Sequence, residues 1–574
     1  MQSISSIELP TRKARTYISE NFDPGNWEQI EPYMHELLQR PLNSLTELEQ
    51  WLKDQSELDA AISEYSRWAY VRTTVDTTDE KSKSALVHLY GQIAPQLAPL
   101  DQQLKQKLID CPYTAQLDAN LYGITIRGIK NSIALYREKN VPLISELQIK
   151  QSGFDALTGA QSIQHNGTEL TLLQAALLLK DNDRQLRENI YVAMAERRAK
   201  DADALDTLLT ELIQLRHQIA LNAGFKNYVE YRFAELGRFD YTKADCEVFH
   251  QSVQEVVVPL LDKFAEQRKA ELGVEQLFPW DVDVDTSGKP ALQPSSSSHD
   301  LIEKTIACFN QLDPYFGERI EIMRQMNYLD LETRLNKGAG GYNMTMPEIG
   351  VPFIFMNSAN GEHDLITIVH EGGHAIHTFL AHQLPLNAFK DAPSEIAEVA
   401  SMAMELMTMQ HWDIYYGNAD DAQRAKENHL KYILNVLAKT CLGDSFQYWL
   451  YENPNHTVQE RRAKWTELYS KFTAKTYDWS TQQLSLETGY QRILHFYIVP
   501  LYYIEYAFAE LGALAIWKNY RTNPKKAVED YKKALSLGYT KPIPEFYKTA
   551  GAEFNFSKTY VQQLVSFVET ELNK

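Results

Sequence analysis

Four cysteines among 574 residues, with no Cys-x-x-Cys, leave this chain neither a disulfide frame nor a thiolate metal site. Cys111, Cys246, Cys308 and Cys441 are instead expected to be small buried hydrophobes in a reducing compartment. Long apolar runs are missing: no stretch of about 18 apolar residues occurs, which excludes a spanning helix. The first thirty residues lack the apolar core of a signal peptide, so a cytoplasmic location is expected. Basic runs are missing too. The 57 Lys and Arg face 76 Asp and Glu, a net charge of −19 that would repel a phosphate backbone or an anionic bilayer. Neither nucleic acid nor membrane is an expected partner. Strand-like segments are few, and no repeat of fixed period is found.

What remains is helical periodicity. Asp201 to Asn222, DADALDTLLTELIQLRHQIALN, spaces Leu and Ile at three and four residues, which makes one apolar stripe. Segments near 30–70, 80–110, 170–200, 245–272, 425–450 and 500–520 read the same way. With 44% hydrophobic residues there is material for a large core. Asn166-Gly167, between SIQH and TELTL, predicts a type I′ hairpin near 162–171. Asp281, Asp283 and Asp285 lack the Gly and distal Glu of an EF-hand and are expected in a solvated loop before QPSSSSHD. A glycine-rich stretch with Gly338, Gly340 and Gly341 leads to a β-prone run, Val351 to Met356. Such glycines allow close backbone approach or unusual dihedrals.

The helix after that run carries His370-Glu371-Gly372-Gly373-His374. Histidines four residues apart share one helical face and can point at one ion. Zinc accepts imidazole nitrogen and, for catalysis, needs three protein ligands plus water. Glu371 is placed to take a proton from that water. Leu365, Ile366, Ile368, Val369, Ala375 and Ile376 predict burial, where an uncompensated His-Glu-His cluster would be costly. A single bound metal ion removes the conflict.

The third ligand lies elsewhere. A Gly-x-x-His continuation would fall on position 380, which is Leu380. The next helical segment, PSEIAEVASMAMEL, offers three carboxylates. Glu395 suits the first turn of a helix. Glu398 sits among Ile396, Ala397, Val399 and Ala400, where a carboxylate needs a partner, and is taken as the ligand. Glu405, two turns on, is taken as the outer support that orients a ligand. His377 is read as packed or hydrogen-bonded. Gly372 and Gly373 each cost a helix about 1 kcal/mol relative to Ala, which is reasonable where backbone or substrate approaches closely.

These residues resemble the thimet oligopeptidase and oligoendopeptidase F family of zinc peptidases, and more closely its bacterial oligoendopeptidase branch. The matching pieces are HEGGHAIH (370–377), SEIAEVASMAMEL (394–406), GAGGY with VPFIF (338–355) and LHFYIVPLYYIEYAFAELGAL (494–514). The resemblance runs from roughly 150 to 570. It implies one zinc ion on His370, His374 and Glu398, with Glu371 as general base. It implies a mainly α fold, two largely helical lobes around a deep channel, and a small sheet beside the motif helix. We divide the chain at about residue 200, into an N-terminal helical lobe (1–200) and a catalytic lobe (201–574). VPFIF matches the family's edge strand, along which a substrate backbone would lie. The family also sets a histidine and tyrosines over the metal, where they would donate to the oxyanion. Here the histidine is His495. The register of the tyrosines is open, with Tyr502 ranked before Tyr503, and Tyr506 an amphipathic core candidate.

The resulting expectation is a zinc-dependent endopeptidase cleaving short oligopeptides internally. A metallocarboxypeptidase acting at C termini is the alternative, and would need a group to bind the terminal carboxylate that the sequence does not locate. A catalytically dead peptide-binding scaffold is the reading outside enzymology, against which the motif residues are all intact.

Overall fold

A computed structural model describes residues 7–334, 336–338 and 340–574. Helices dominate it, with a two-stranded hairpin and one three-stranded sheet among the described residues. By internal packing the chain forms two units. One holds the described residues up to Ala134 with Leu292–Glu427 and Ala509–Phe554; the other holds Leu135–Ala291, Asn428–Phe508 and Asn555–Lys574. A cut near residue 200 therefore falls inside the second unit. Apolar faces pair segments that are distant along the chain, so neither unit is a single stretch.

In the first unit, the periodic segment near 30–70 is two helices, Trp27–Gln39 and Leu45–Val75. Pro41 separates them and Ser44 caps the second by accepting from the Glu47 amide. Trp51, fully buried, donates its indole N–H to Leu37 O at 2.9 Å. The end of the first helix is closed by Lys107, whose ammonium donates to Leu37 O, Leu38 O and Arg40 O at 2.7, 2.9 and 2.5 Å. A cation on the orphan carbonyls of a helix C-terminus satisfies both hydrogen bonding and the dipole.

In the second unit, helix Ala202–Ala223 matches the expected stripe and ends on Gly224 at φ +91°. Asp206 within it is buried against Arg461 (3.1 Å) and Arg462 (2.8 Å). The hairpin pairs Ser162 with Thr171 and His165 with Thr168, and Asn166 and Gly167 take φ +49° and +78°. That is the type I′ geometry the Asn-Gly pair predicts. The acidic alternation after it departs from expectation. Asp281 is fully buried and paired with Arg184 (2.7 Å) and Arg187 (2.9 Å), arginines nearly a hundred residues earlier. Asp283 is exposed and Asp285 half-buried.

The three-stranded sheet belongs to the first unit. Pro352–Ser358 is its central strand, parallel to Leu329–Glu332 and antiparallel to Tyr342–Thr345. This corrects the assignment of VPFIF as an edge. Its backbone is paired on both sides, and Phe353 to Met356 are buried, as a central strand requires. Among the described residues, the edges are Leu329–Glu332 and Tyr342–Thr345, the latter following the glycine-rich stretch. No described helix is long and apolar enough to cross a membrane. Cys246, Cys308 and Cys441 are buried and Cys111 half-buried, all as free thiols.

Candidate metal centre

The motif helix, Glu362–Ala381, starts three residues beyond the central strand. Asp364 fixes the transition: its Oδ2 accepts from Ser358 Oγ (2.9 Å), the Ala359 amide (2.8 Å) and the Gly361 amide (3.1 Å). A carboxylate in the first turn gathers orphan N–H groups and meets the positive end of the helix. The edge strand holds the same helix further along. Asn343 donates to Glu371 O at 3.0 Å, and Thr345 and Thr378 hydroxyls are 2.9 Å apart.

The second helix, Ser394–Thr408, packs on the motif helix at Gly373. A β-carbon at Gly373 would come 2.5 Å from Ala400 O and 2.6 Å from Ser401 Cα; one at Gly372 would come 2.5 Å from the Phe309 ring. Gly373 therefore serves backbone approach between the two helices, while Gly372 makes room for the Phe309 ring. This contact brings Glu398 across to the histidines. Its Oε2 lies 3.3 Å from His370 Nε2 and 3.8 Å from His374 Nε2. One ligand atom from each of the three residues lies within 4.8 Å of the others, a group that could hold a metal ion.

Each member has a further partner. His370 Nδ1 is 2.6 Å from Glu405 Oε1, and His374 has a backbone hydrogen bond with Ala397. With Nδ1–H donated to Glu405, His370 presents its Nε2 toward Glu398. Ser401 Oγ donates to Glu398 O (3.0 Å) and lies 3.3 Å from its Oε2. Two imidazole nitrogens and a carboxylate oxygen converging in a partly buried site repel one another unless a cation or proton sits between them. That donor set suits a divalent metal.

The electrostatics express the same conflict. Burial pushes His370 down, but hydrogen bonds with Glu398 and Glu405 outweigh it and raise its pKa well above the ordinary value. His374 is pushed down to about 4 by burial. Glu371 is pushed up to about 7, chiefly by burial, with Glu398 and Glu405 adding to it. Its Oε2 is buried and has no hydrogen-bond partner among the described residues. An orphaned carboxylate oxygen beside the histidines is a place where a water would be held.

The other sequence candidates fall as follows. Glu395 is in the first turn of the second helix as expected, yet buried like Glu398, and its carbonyl accepts from Tyr547 at 3.0 Å. His377 is buried and packs near Phe546, its pKa pushed down to about 4 by burial. His495, Tyr502, Tyr503 and Tyr506 gather as one ring cluster in the second unit. The His495 ring lies 6.1, 4.9 and 5.8 Å from the three tyrosine rings. Burial pushes the Tyr503 hydroxyl up to about 12, so it stays a donor at neutral pH.

Four supporting residues went unread in the sequence: Asn343, Ser401, Tyr531 and Tyr547. Tyr531 donates to Ala400 O at 2.6 Å, at the very carbonyl against which Gly373 packs. Ser401 sat in the quoted EVAS motif, one turn beyond Glu398, and that spacing was the available signal. The others act from distant segments and leave no local trace.

A model of peptidase family M3 matches residues 177–566, and one of the peptidase M3 N-terminal domain matches residues 20–136. The likeness thus extends over N-terminal helices in which no motif was evident. An oligoendopeptidase F homolog of Borreliella burgdorferi is 24% identical, covering 100% of this chain and 95% of its own. The oligopeptidase PepF of Bacillus subtilis is 22% identical over 85% of this chain and 74% of its own. The solved structure of PZ peptidase A with an inhibitor superposes with a TM-score of 0.89 at 27% identity, covering 96% of this chain and 98% of that one. With a His-His-Glu group of half-buried histidines and a buried glutamate framed by two helices, and with a family model matched over most of its length, this chain belongs to peptidase family M3.

Proposed function

We propose that the chain is a zinc-dependent endopeptidase that hydrolyses internal bonds of short oligopeptides. Family membership makes it a peptidase; the finer reading is carried by the convergence of His370 Nε2, His374 Nε2 and Glu398 Oε2. Those three would hold one zinc ion, which when bound supplies Lewis acidity and lowers the pKa of a coordinated water. Glu405 keeps His370 in the tautomer that presents Nε2. Glu371, buried and with its pKa raised toward neutrality, takes the proton of the attacking water and delivers it to the leaving amine.

His495, Tyr502 and Tyr503 are proposed as the donors to the oxyanion of the tetrahedral species, with Tyr502 first. Their shared ring cluster supports that reading. The substrate backbone is proposed to pair with Tyr342–Thr345, since Pro352–Ser358 is already paired on both sides. Along that strand Asn343 and Thr345 contact the motif helix, while Tyr342 and Met344 pack in the cluster with Trp68, Val71 and Phe353. A peptide added there would run over the helix that bears Glu371.

The experiment is mass spectrometry of a peptide library with and without a chelator, including C-terminally amidated members. Internal cleavage of amidated peptides, abolished by the chelator and restored by zinc, is the expected result. Sequential loss of C-terminal residues only from free carboxylates would establish a carboxypeptidase instead.

A further inference from the structure

The segment that carries His495 and the tyrosines turns on a strained residue. Leu501 has φ +62° and is fully buried. A bulky non-glycine residue persists in the left-handed region only where its surroundings over-determine it. Here both polar groups of its backbone are taken by buried side chains. Its N–H donates to Gln447 Oε1 at 2.6 Å, and its carbonyl accepts from Arg238.

Arg238 is itself held. It pairs with Glu505 at 2.7 Å, with both side chains buried, and lies over the Phe233 and Tyr241 rings. The residues on the N-terminal side are pinned by other carbonyl contacts. Arg216 donates to Phe496 O and Tyr497 O, Gln151 to Ile498 O at 2.9 Å, and Arg232 to Pro500 O at 3.1 Å. Tyr502 and Tyr503 follow immediately, before helix Ile504–Thr522. Gly443 makes room for one of them: a β-carbon there would come 2.7 Å from Tyr503 Cδ1.

We propose that Arg238, anchored by Glu505, and Gln447 are positioning residues that hold Leu501 in its left-handed conformation and thereby aim the Tyr502 hydroxyl. Glu505 lies in the helix that begins after Tyr503, so one guanidinium ties the strained turn to the first turn of that helix. Relaxing Leu501 toward ordinary dihedrals would rotate the chain at the residue before Tyr502 and move its ring relative to His495. The proposal rests on the reading of Tyr502 as an oxyanion donor.

The test is a double-mutant cycle of Arg238→Lys and Tyr502→Phe on the zinc-loaded enzyme, reading kcat, KM, zinc content and thermal midpoint. Lysine keeps a charge for Glu505, but its single ammonium cannot reproduce the guanidinium fork. Arg238→Lys is expected to lower kcat nearly as much as Tyr502→Phe does, about 10²-fold, with KM and zinc content near wild type, and Tyr502→Phe to add less than about threefold in that background. Losses that simply multiply, as a merely structural role would give, overturn the proposal. If Arg238→Lys gives no soluble protein, Gln447→Met enters the same cycle with the same expected non-additivity. A silent Tyr502→Phe removes the donor assignment and the proposal with it; a damaging Tyr502→Phe beside a silent Arg238→Lys and Gln447→Met removes the clamp alone.

Discussion

Gly373 and Ser401 are in backbone contact: a β-carbon on the glycine would stand 2.6 Å from Cα of the serine. The contact sets the spacing between the helix bearing His370 and His374 and the helix bearing Glu398. Gly373→Ala must push those helices apart, since the atoms it meets are backbone and cannot rotate away. Overpacking of this kind costs about 1–3 kcal/mol. We expect lower thermal stability and at least about tenfold weaker zinc binding, because metal affinity depends on the ligands being held in place. Gly372→Ala meets only the Phe309 ring and is expected to damage zinc binding less. Equal metal affinity in Gly373→Ala and wild type, by competition with a chelator, would count against this account.

The 2.6 Å contact between His370 Nδ1 and Glu405 Oε1 predicts a second effect on the metal. Glu405→Ala should weaken zinc binding by about 10–100-fold, the usual range for an outer partner of a ligating histidine. Zinc titration in the presence of a competing chelator measures it. An unchanged affinity would remove Glu405 from the role.

The roles proposed for Glu371 and His374 are separable by mutation. Glu371→Gln is expected to retain zinc and fold while losing about 10²–10⁴ in kcat, since it removes the base and leaves the donor set. His374→Ala is expected to lose zinc and activity together. Metal analysis of the two purified variants separates the roles; loss of zinc from Glu371→Gln would make that carboxylate a ligand.

For Tyr502→Phe, kcat should fall by about 10²–10³ with KM nearly unchanged, because an oxyanion donor acts mainly in the transition state. A change confined to KM would place Tyr502 in ground-state binding. Tyr503→Phe is expected to do less: its ring is seated where Gly443 leaves space and it is more a wall of the cluster.

Pairing of substrate with Tyr342–Thr345 predicts a periodic response to backbone substitution. In a series of oligopeptides N-methylated at one position each, every second position near the scissile bond should lose kcat/KM, since antiparallel residues alternate in hydrogen bonding to a given neighbour. A uniform response along the peptide would argue against strand addition.

The grouping of His370, His374 and Glu398 was legible because its signal is local. Two histidines a turn apart on an apolar helix, and a glutamate buried among Ile396, Ala397 and Val399, are patterns a period of 3.6 residues exposes. The Asn-Gly hairpin was legible for the same reason, since two adjacent residues dictate its turn. Strand order was not legible. An apolar run such as Val351 to Met356 suits an edge or a central strand equally, and only its pairing partners decide. Asp281 misled because its arginine partners lie on a helix far upstream. The Gly372-Gly373 pair announced a close approach without saying to what; the answer, the backbone of Ala400 and Ser401 for Gly373 and the Phe309 ring for Gly372, belongs to two other helices.

By itself the order of amino acids determined that this protein is mainly helical, that it lacks a disulfide frame, and which two imidazoles and which carboxylate could share an ion. Those properties follow from neighbours within a turn or two of backbone. The tertiary structure alone decided which strand is central and which are edges, what the glycines accommodate, how Leu501 is held in strain, and which segments make up each unit. These depend on packing between stretches tens to hundreds of residues apart, where many partners are chemically equivalent and only the folded chain selects one.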